Sequence, residues 1–338
     1  MAQRVLTTRP MLPGGGLDRL GAAVDLVRPP GPGKPAPETL HELAAGVDGI
    51  LCLGNDSVDA ALLDAAGPSL KVVSLASMGF DGVDQQAAAD RGIVITHTPG
   101  VLAETTADLA FGLLLMARRR LGTARDSLLG GEWQAFDMGG HLGLDVYGAT
   151  LGIIGYGAIG QAVARRGKGF GMRVLHHSRS TAPDGTGDIA PDENGSVAVD
   201  LPTLLAESDI ISLHVPLSPA TRNLIGAAEL RAMKPTATLV NTARGGVVDE
   251  DALLEALDAG TLHSAGLDVF AREPMGPEPT ALARHPRVVP LPHIGSATES
   301  TRAHMVDLAA DNILDVLGGN PARTAIPGSS PVPRKDPA

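Results

Sequence analysis

Residues 149–160, Ala-Thr-Leu-Gly-Ile-Ile-Gly-Tyr-Gly-Ala-Ile-Gly, decide the fold of this chain. The apolar half, 150–154, predicts a strand covered on both faces. Three glycines in a G-x-G-x-x-G pattern follow it: Gly155, Gly157 and Gly160. Residues 161–166 then have helical composition. A strand, a glycine turn and a helix N-terminus are typical of a unit that binds the pyrophosphate of a dinucleotide.

Length and composition narrow the class of protein. A chain of 338 residues is expected to form about two domains. Its net charge of −11 argues against binding to nucleic acid or to an anionic membrane. The single cysteine, Cys52, lies in the apolar run 49–53 and is expected to be a buried thiol in a reducing compartment. The N-terminus has no apolar signal-peptide core and the longest apolar run, 109–117, is too short to span a bilayer, so we expect a cytoplasmic protein.

Strand and helix patterns alternate on both sides of the glycine turn. Before it, four strands are predicted, at 5–8, 49–53, 71–75 and 92–96, with helices between them. After it, five more are predicted, at 172–177, 209–216, 237–241, 264–269 and 288–292. This βα alternation predicts an α/β fold made of two Rossmann-like, doubly wound parallel-sheet domains with a cleft between them.

The domain boundaries follow from where the glycine motif lies. We expect a substrate-binding domain in two parts, 1–99 and 295–325, because the first series of strands has no glycine motif and a long helix at 300–317 follows the second series. The dinucleotide-binding domain is expected at 100–294. The segment 326–338, rich in Pro, Ser and charge, is expected to be a disordered tail.

The end of the second strand after the glycine motif indicates which nicotinamide cofactor is used. An NAD-binding unit carries an acidic residue there, which binds the ribose 2′-hydroxyl. This chain has Ser178, Arg179 and Ser180 instead. An arginine can stack on adenine and pair with a 2′-phosphate, and the two serines can donate hydrogen bonds to it. The sequence therefore predicts a preference for NADP(H), with NAD(H) as the alternative.

Three residues near predicted strand ends suit hydride transfer to a 2-oxo acid: Arg244, Glu273 and His293. An arginine can hold the carboxylate and the carbonyl of such a substrate. A histidine can donate the proton that the carbonyl oxygen requires, and a carboxylate beside it fixes its tautomer and favours the imidazolium form. No metal site is predicted.

Five motifs in order make the chain resemble the D-specific 2-hydroxyacid dehydrogenase family over nearly its whole length, about residues 5–321. They are Gly152-Ile-Ile-Gly-Tyr-Gly-Ala-Ile-Gly160, His214-Val-Pro-Leu217, Asn241-Thr-Ala-Arg-Gly-Gly246, Gly266-Leu-Asp-Val-Phe270 and Pro292-His-Ile-Gly-Ser296. The resemblance implies that Arg244 binds and polarises the substrate, that His293 is the acid/base and that Glu273 is its partner.

The resemblance also implies the other site residues. The backbone amides of Met78 and Gly79 are expected to bind the substrate carboxylate, and Asp268 to hold the carboxamide of the nicotinamide. The remaining cofactor contacts are expected at Thr105, Gly155, Gly157, Ala158, Ile159, Gly160, Ser178, Arg179, Ser180, Val215, Pro216, Thr221, Thr242, Ala243 and Gly295. A homodimer is expected, built through the cofactor domain and an arm at 131–145 that contains the lone Trp133.

Within the family the chain is similar to the glyoxylate/hydroxypyruvate reductases, since their cofactor loop resembles Ser178-Arg-Ser180. This predicts an NADPH-preferring reductase of small 2-oxo acids that forms D-2-hydroxy acids. Met78 is larger than the residue usual at its place, which leaves the exact substrate open. Two alternatives remain: a reductase of a bulkier 2-oxo acid, and a nucleotide-sensing binding protein similar to the corepressors of this family. The acidic charge balance argues against the second.

Overall fold

The computed structural model describes residues 2–178 and 191–332. The chain divides into two compact units, of which the first comprises Met1–Leu102 and Ser296–Ala338 and the second Ala103–Gly295. The division falls beside the boundaries predicted at 99/100 and 294/295. Each unit contains its own parallel sheet with its own apolar core.

The first unit is built on a five-stranded parallel sheet with the order β2-β1-β3-β4-β5. Its strands are β1 (Arg4–Thr7), β2 (Asp25–Val27), β3 (Gly49–Cys52), β4 (Val72–Leu75) and β5 (Val94–Thr96). Its helices are α1 (Gly16–Ala23), α2 (Pro37–Ala44), α3 (Ala60–Ala66), α4 (Gln85–Asp90) and the C-terminal α12 (Glu299–Leu317). The three central strands are almost fully buried, as apolar runs between two helical layers must be.

The long helix α12 belongs to the core of the first unit. Its side chains Ile313, Val306 and Ala309 are nearly inaccessible and pack with Val5 and Val72 of the sheet. Thr298 caps its N-terminus by accepting the amide hydrogen of Thr301. The second series of strands is thus followed by a helix that returns to the first sheet.

The start of the predicted disordered tail is corrected by the structure. Ile326 is only 3% exposed and its amide donates to Ile95 O of β5 at 3.0 Å. The hydroxyl of Ser329 accepts the amide hydrogen of Ile95 at 2.9 Å. An apolar side chain with a place in the core keeps this segment on the sheet, so residues 326–332 belong to the first unit. Residues 333–338 lie outside the described part of the chain.

The second unit is built on a seven-stranded parallel sheet with the order β12-β11-β10-β9-β6-β7-β8. Its strands are β6 (Thr150–Ile154), β7 (Arg173–His177), β8 (Ser196–Ala198), β9 (Ile210–Leu213), β10 (Thr238–Asn241), β11 (Ser264–Leu267) and β12 (Val288–Pro290). Its helices are α5 (Ala103–Arg118), α6 (Leu121–Leu129), α7 (Ala158–Gly169), α8 (Leu201–Glu207), α9 (Ala227–Ala232), α10 (Glu250–Asp258) and α11 (Ala281–Arg284), with a 3₁₀ turn at Gly245–Val247.

The strand order places the glycine motif at a reversal of chain direction across the sheet. From β6 the chain moves outward through β7 and β8, and then returns to build β9 to β12 on the other side of β6. In open α/β sheets, ligands bind at the carboxyl ends of the strands where the order reverses. The turn after β6 is therefore the expected ligand position in this unit.

The predicted fold class, two α/β units with parallel sheets, is confirmed. The short edge strands β2 and β8 were not predicted from the sequence. Cys52 lies in β3 and is inaccessible, as predicted, and burial raises the pKa of its thiol. None of the helices in the described ranges combines the length and the apolar character that crossing a membrane requires.

Candidate active site

The glycine turn after β6 is shaped by two close backbone approaches. Gly155 has φ +95°, and a Cβ there would lie 2.6 Å from His214 C. A Cβ on Gly160 would lie 2.2 Å from Gly155 O. Gly157 faces open space and has no atom within 4 Å of an added Cβ, among the described residues. The backbone is thus tightly packed at Gly155 and Gly160, whereas the open space beside Gly157 can accept a ligand.

The N-terminus of α7 fits the pyrophosphate of a dinucleotide. The helix begins at Ala158, directly after Gly157, and no side chain caps it. The first amides of an uncapped helix are donors without an intrahelical partner, and the helix dipole favours an anion there. The residues present therefore fit the group that the sequence motif predicts.

The aromatic residue inside the glycine turn anchors it to the next strands. The ring of Tyr156 stacks on His176 of β7, with centroids 3.7 Å apart and an interplanar angle of 11°. Its hydroxyl donates to Asp192 at 2.6 Å. Asp192 also accepts the amide hydrogens of Asn194 and Ser196. Burial alone would raise the pKa of Asp192, but these hydrogen bonds lower it below its usual value.

The turn after β9 carries several of the predicted cofactor contacts. The hydroxyl of Thr221 donates to Pro216 O at 2.6 Å and accepts the amide hydrogen of Ser218 at 2.8 Å, which fixes the turn beyond Val215. His214 Nε2 lies 2.8 Å from the hydroxyl of Ser212. Burial lowers the pKa of His214 to about 3, so its ring is neutral near pH 7.

His293 and Glu273 form the pair that the sequence suggested. His293 Nδ1 lies 2.6 Å from Glu273 Oε2, with side chains 44% and 28% exposed. The other carboxylate oxygen, Oε1, accepts the amide hydrogen of Phe270 at 2.7 Å. Burial alone would raise the pKa of Glu273, but the hydrogen bonds from His293 and Phe270, and the charge of Arg244, keep it below its usual value. The pair combines an ionised carboxylate with an accessible imidazole.

Asp268 holds the turn on which His293 lies. It follows β11 directly and is 1% exposed. Its carbonyl accepts the amide hydrogen of His293, and its two carboxylate oxygens accept those of Ile294 and Gly295, each at 2.8 Å. His293 has φ +55°, a left-handed conformation that is uncommon for a residue other than glycine. The three hydrogen bonds that Asp268 accepts therefore stabilise an otherwise unfavourable turn.

Arg244 lies on a turn that is pressed against the turn carrying Glu273. Asn241, the last residue of β10, donates its side-chain amide to Arg244 O and accepts the amide hydrogen of Ala243. A Cβ on Gly245 would lie 1.8 Å from Phe270 C. No side chain fits between these two backbones. The close approach brings the charge of Arg244 near Glu273, where it contributes to lowering the pKa of that carboxyl.

Glu250 makes a second link between the same two turns. It lies at the start of α10, and its Oε1 accepts the amide hydrogen of Ala271 at 2.6 Å. Burial, followed by the charges of Asp251 and Glu273, raises the pKa of Glu250. Glu250 was not predicted as a site residue from the sequence. The signal for it is weak, since an acid in the first turn of a helix is ordinary capping chemistry.

The loop that the sequence assigned to the substrate carboxylate belongs to the first unit, after β4. Ser77 donates its hydroxyl to Gly79 O at 2.6 Å, and Gly54 packs against the Ser77 side chain. Within residues 2–178 and 191–332, the backbone amides of Met78 and Gly79 donate no hydrogen bond. Two successive free amides are chemically suited to a carboxylate.

The remaining predicted residues fall into two groups. Thr242 and Ala243 are buried directly after β10. Thr105 lies in the first turn of α5. The hydroxyl of its neighbour Thr106 donates to Gly295 O. Arg179 and Ser180 lie outside the described residues. In the described ranges there is no group of three His, Cys, Asp or Glu side chains that suits a metal ion.

Comparisons with known proteins place these features in one family. The family described as "D-isomer specific 2-hydroxyacid dehydrogenase, NAD binding domain" matches residues 111–295. A glyoxylate reductase of Thermococcus litoralis is 44% identical over 94% of this chain and 95% of its own. A glyoxylate/hydroxypyruvate reductase B of Klebsiella pneumoniae is 42% identical over 86% and 88%.

A solved structure is similar over nearly the whole chain. It is an NADPH-dependent glyoxylate/hydroxypyruvate reductase from Sinorhizobium meliloti, in complex with NADP and malonate. It is 35% identical, with a TM-score of 0.81, and the match covers 99% of each chain. The resemblance that the five motifs indicated is thereby confirmed.

The close approach at Gly245 predicts that Gly245→Ala displaces the turns bearing Arg244 and Glu273. We expect a loss of about 1–3 kcal/mol of folding free energy from overpacking. Because a misplacement of about 1 Å can lower a rate about 100-fold, activity is expected to fall by at least that factor. Thermal unfolding and steady-state kinetics measure the two effects.

Gly112→Ala is the matched control for this variant. Gly112 lies inside α5, where an added Cβ meets no described atom within 4 Å. Alanine is the better helix former by about 0.5–1 kcal/mol, so this variant is expected to stay active and at least as stable. A Gly245→Ala protein with the stability and activity of the wild type would contradict the packing argument.

The lowered pKa of His214 predicts a pH dependence of stability. The unfolded chain binds a proton at the ordinary histidine pKa of 6.5, whereas the folded chain binds it only at about 3. The unfolded state therefore holds more protons as the pH falls, and folding stability decreases from about pH 6.5 downward. In His214→Asn the free energy of unfolding is expected to fall less steeply between pH 6.5 and pH 4, as measured by urea unfolding at several pH values. Equal slopes in the two proteins would refute this.

Proposed function

Since this chain belongs to the D-isomer specific 2-hydroxyacid dehydrogenase family, and so is an NAD(P)-dependent oxidoreductase, we propose that it reduces small 2-oxo acids such as glyoxylate and hydroxypyruvate. The products are D-2-hydroxy acids and the preferred reductant is NADPH. The observation that carries this proposal is the 2.6 Å contact between His293 and Glu273, with Arg244 close enough to influence that carboxyl.

The proton chemistry follows from the His293–Glu273 pair. When bound, NADPH supplies the hydride that reduces the carbonyl carbon of the substrate. The carbonyl oxygen gains negative charge as the hydride arrives and takes a proton from His293. Because Nδ1 of His293 faces Glu273, Nε2 is the nitrogen left to donate. The ionised Glu273 lies beside Nδ1 and holds the ring in the orientation from which Nε2 donates.

Arg244 is the proposed electrophilic partner of the substrate. A guanidinium presents two parallel donors, which suits the adjacent carbonyl and carboxylate oxygens of a 2-oxo acid. Its charge stabilises the oxygen as negative charge develops there. The Gly245 contact and the Asn241 bonds hold its backbone, so little reorganisation is needed during the reaction.

The free amides of Met78 and Gly79 are the proposed donors to the substrate carboxylate. Backbone amides in a fixed loop are selective for an anionic group without adding bulk to the pocket. This assignment excludes neutral carbonyl compounds as good substrates. It agrees with a 2-oxo acid, in which carboxylate and carbonyl are adjacent.

The preference for NADPH rests on the residues that follow β7. Ser178, Arg179 and Ser180 supply one cation and two hydroxyls where an acid would exclude a 2′-phosphate. The reductase from Sinorhizobium meliloti, with NADP in its structure, is NADPH-dependent. Both observations support the proposed preference for NADPH.

A homodimer is the proposed assembly. The segment after α5 exposes an unusual set of large apolar side chains: Leu121, Leu128, Leu129, Trp133, Phe136, Met138, Leu142 and Tyr147. Trp133 is 65% exposed, so it does not fill a core gap within its own unit. Large apolar groups concentrated in one exposed segment are typical of a protein–protein interface. This supports the arm at 131–145 as a contact with a second copy.

Substitution of the acid/base tests the mechanism. His293→Asn removes the ring that donates the proton, so kcat with glyoxylate is expected to fall by about 10²- to 10⁴-fold. NADPH binding, followed by cofactor fluorescence, is expected to stay close to the wild-type value. His304→Asn, at an exposed position of α12, is the matched control. Turnover by His293→Asn within a few fold of the wild type would rule out His293 as the acid.

A substrate and cofactor panel tests the activity itself. We expect the wild-type protein to oxidise NADPH with glyoxylate and hydroxypyruvate at higher kcat/KM than with pyruvate or phenylpyruvate, and faster than it oxidises NADH. A higher kcat/KM with phenylpyruvate would instead identify a reductase of bulkier 2-oxo acids. Cofactor binding without turnover of any 2-oxo acid would favour a nucleotide sensor.

The Arg179→Ala variant tests the cofactor preference, because it is expected to affect the binding of NADPH and of NADH differently. Loss of the guanidinium is expected to weaken NADPH binding much more than NADH binding, because NADH has no 2′-phosphate to pair with it. Equal weakening of both cofactors would contradict the proposed preference.

A further inference from the structure

The carbonyl groups of Ser77, Met78 and Gly79, in the loop after β4, are all held by hydrogen bonds within the first unit. Ser77 O accepts the amide hydrogen of Thr98 at 2.8 Å, and Gly79 O accepts the hydroxyl of Ser77 at 2.6 Å. Between them, Met78 O lies 2.8 Å from Nδ1 of His97. A carbonyl accepts only, so Nδ1 of His97 carries the hydrogen. Of these three bonds, the one to Met78 O is made by the side chain of a residue outside the loop.

The direction of a carbonyl fixes the direction of the next amide. A trans peptide is planar, and its C=O and N–H point to opposite sides. The bond from His97 holds Met78 O on one side, so the N–H of Gly79 points to the other. The bond from Thr98 to Ser77 O orients the N–H of Met78 in the same way. Over the described ranges these two amides donate no hydrogen bond of their own.

His97 is itself held rigidly at the end of β5. Its amide donates to Thr324 O at 3.1 Å, and the hydroxyl of Thr324 donates to His97 O at 2.6 Å. Thr324 is in turn bound by the side-chain amide of Asn312, which is fully buried in α12 and both donates to and accepts from it. The ring of His97 meets Phe80 edge-on, with centroids 5.4 Å apart.

We propose that His97 is a positioning residue for substrate: its Nδ1–H holds Met78 O so that the amide of Gly79 points at the carboxylate of the 2-oxo acid. This rests on the proposed function, in which the Met78 and Gly79 amides bind that carboxylate. His97 touches neither substrate nor cofactor in this role. It makes the Met78–Gly79 peptide a preorganised anion site, because rotation of the peptide would break the bond to Met78 O.

Two substitutions separate the hydrogen bond from the bulk of the ring. His97→Phe keeps a ring beside Phe80 and removes the donor. His97→Asn places an amide nitrogen close to the position of Nδ1 and keeps the donor while removing the ring. KM for glyoxylate is expected to rise about tenfold or more in His97→Phe, the size of a lost hydrogen bond to a charged group, and to change less than about threefold in His97→Asn. In His97→Phe, kcat is expected to fall less than KM rises.

Two further readouts distinguish this role from a purely structural one. The inhibition constant of oxalate, a dicarboxylate, is expected to rise with KM in His97→Phe, while the dissociation constant of NADPH and the unfolding temperature stay near those of the wild type. An unchanged KM in His97→Phe, or equal increases in both variants, would overturn the proposal. A wild-type protein that turns over no small 2-oxo acid would overturn the proposed function and this inference together.

Discussion

The candidate active site depends on the contact between the backbones at Gly245 and Phe270. Parallel strands bring their carboxyl ends to one edge of a sheet, but this alone leaves the turns beyond them free to separate. Here the turn after β10 lies against the turn after β11 with no room for a side chain. Glu250 adds a hydrogen bond to Ala271 across the same junction. Arg244 and Glu273 are therefore held in a fixed relation by backbone packing.

Close backbone contacts also fix the glycine turn after β6. Gly155 packs on His214, and Gly160 packs on Gly155, both at distances that exclude a Cβ. Rigid backbone contacts cost little reorganisation when a charged ligand binds, because the donors are already in place. Both halves of the second unit thus present fixed groups at the carboxyl edge of the sheet: helix amides at α7, and Arg244 with the His293–Glu273 pair after β10 to β12.

The pKa values of the acidic residues at the candidate site differ because their surroundings differ. Burial dominates for Asp268 and Glu250, whose pKa values are raised. For Glu273, the hydrogen bonds from His293 and Phe270 and the charge of Arg244 outweigh burial, and its pKa is lowered. The carboxylate that faces the imidazole is therefore the one best stabilised in its ionised form. Asp268 and Glu250 also accept hydrogen bonds from backbone amides, which hold their turns in place.

Local sequence determined much of this protein. The apolar runs of β3, β4 and β6, the glycine pattern and the order of five motifs were enough to predict two parallel-sheet units and the family. The same motifs supplied Arg244, Glu273 and His293 as the candidate site residues. These signals are visible because buried strands and tight turns require particular residue types at particular spacings. The edge strands β2 and β8 were missed, since both have only three residues and lack a continuous apolar run.

The tertiary structure alone decided which supports hold those residues. Ile326 joins the core through Ile95, Glu250 binds Ala271, and His97 binds Met78, yet each partner lies far along the chain. An isoleucine near a proline-rich end, an acid at a helix start and a histidine after a strand have no local pattern that marks them. Their roles arise because the fold brings a donor close to an acceptor from another segment of the chain. That pairing depends on three-dimensional position, which the local residue types and their spacing do not reveal.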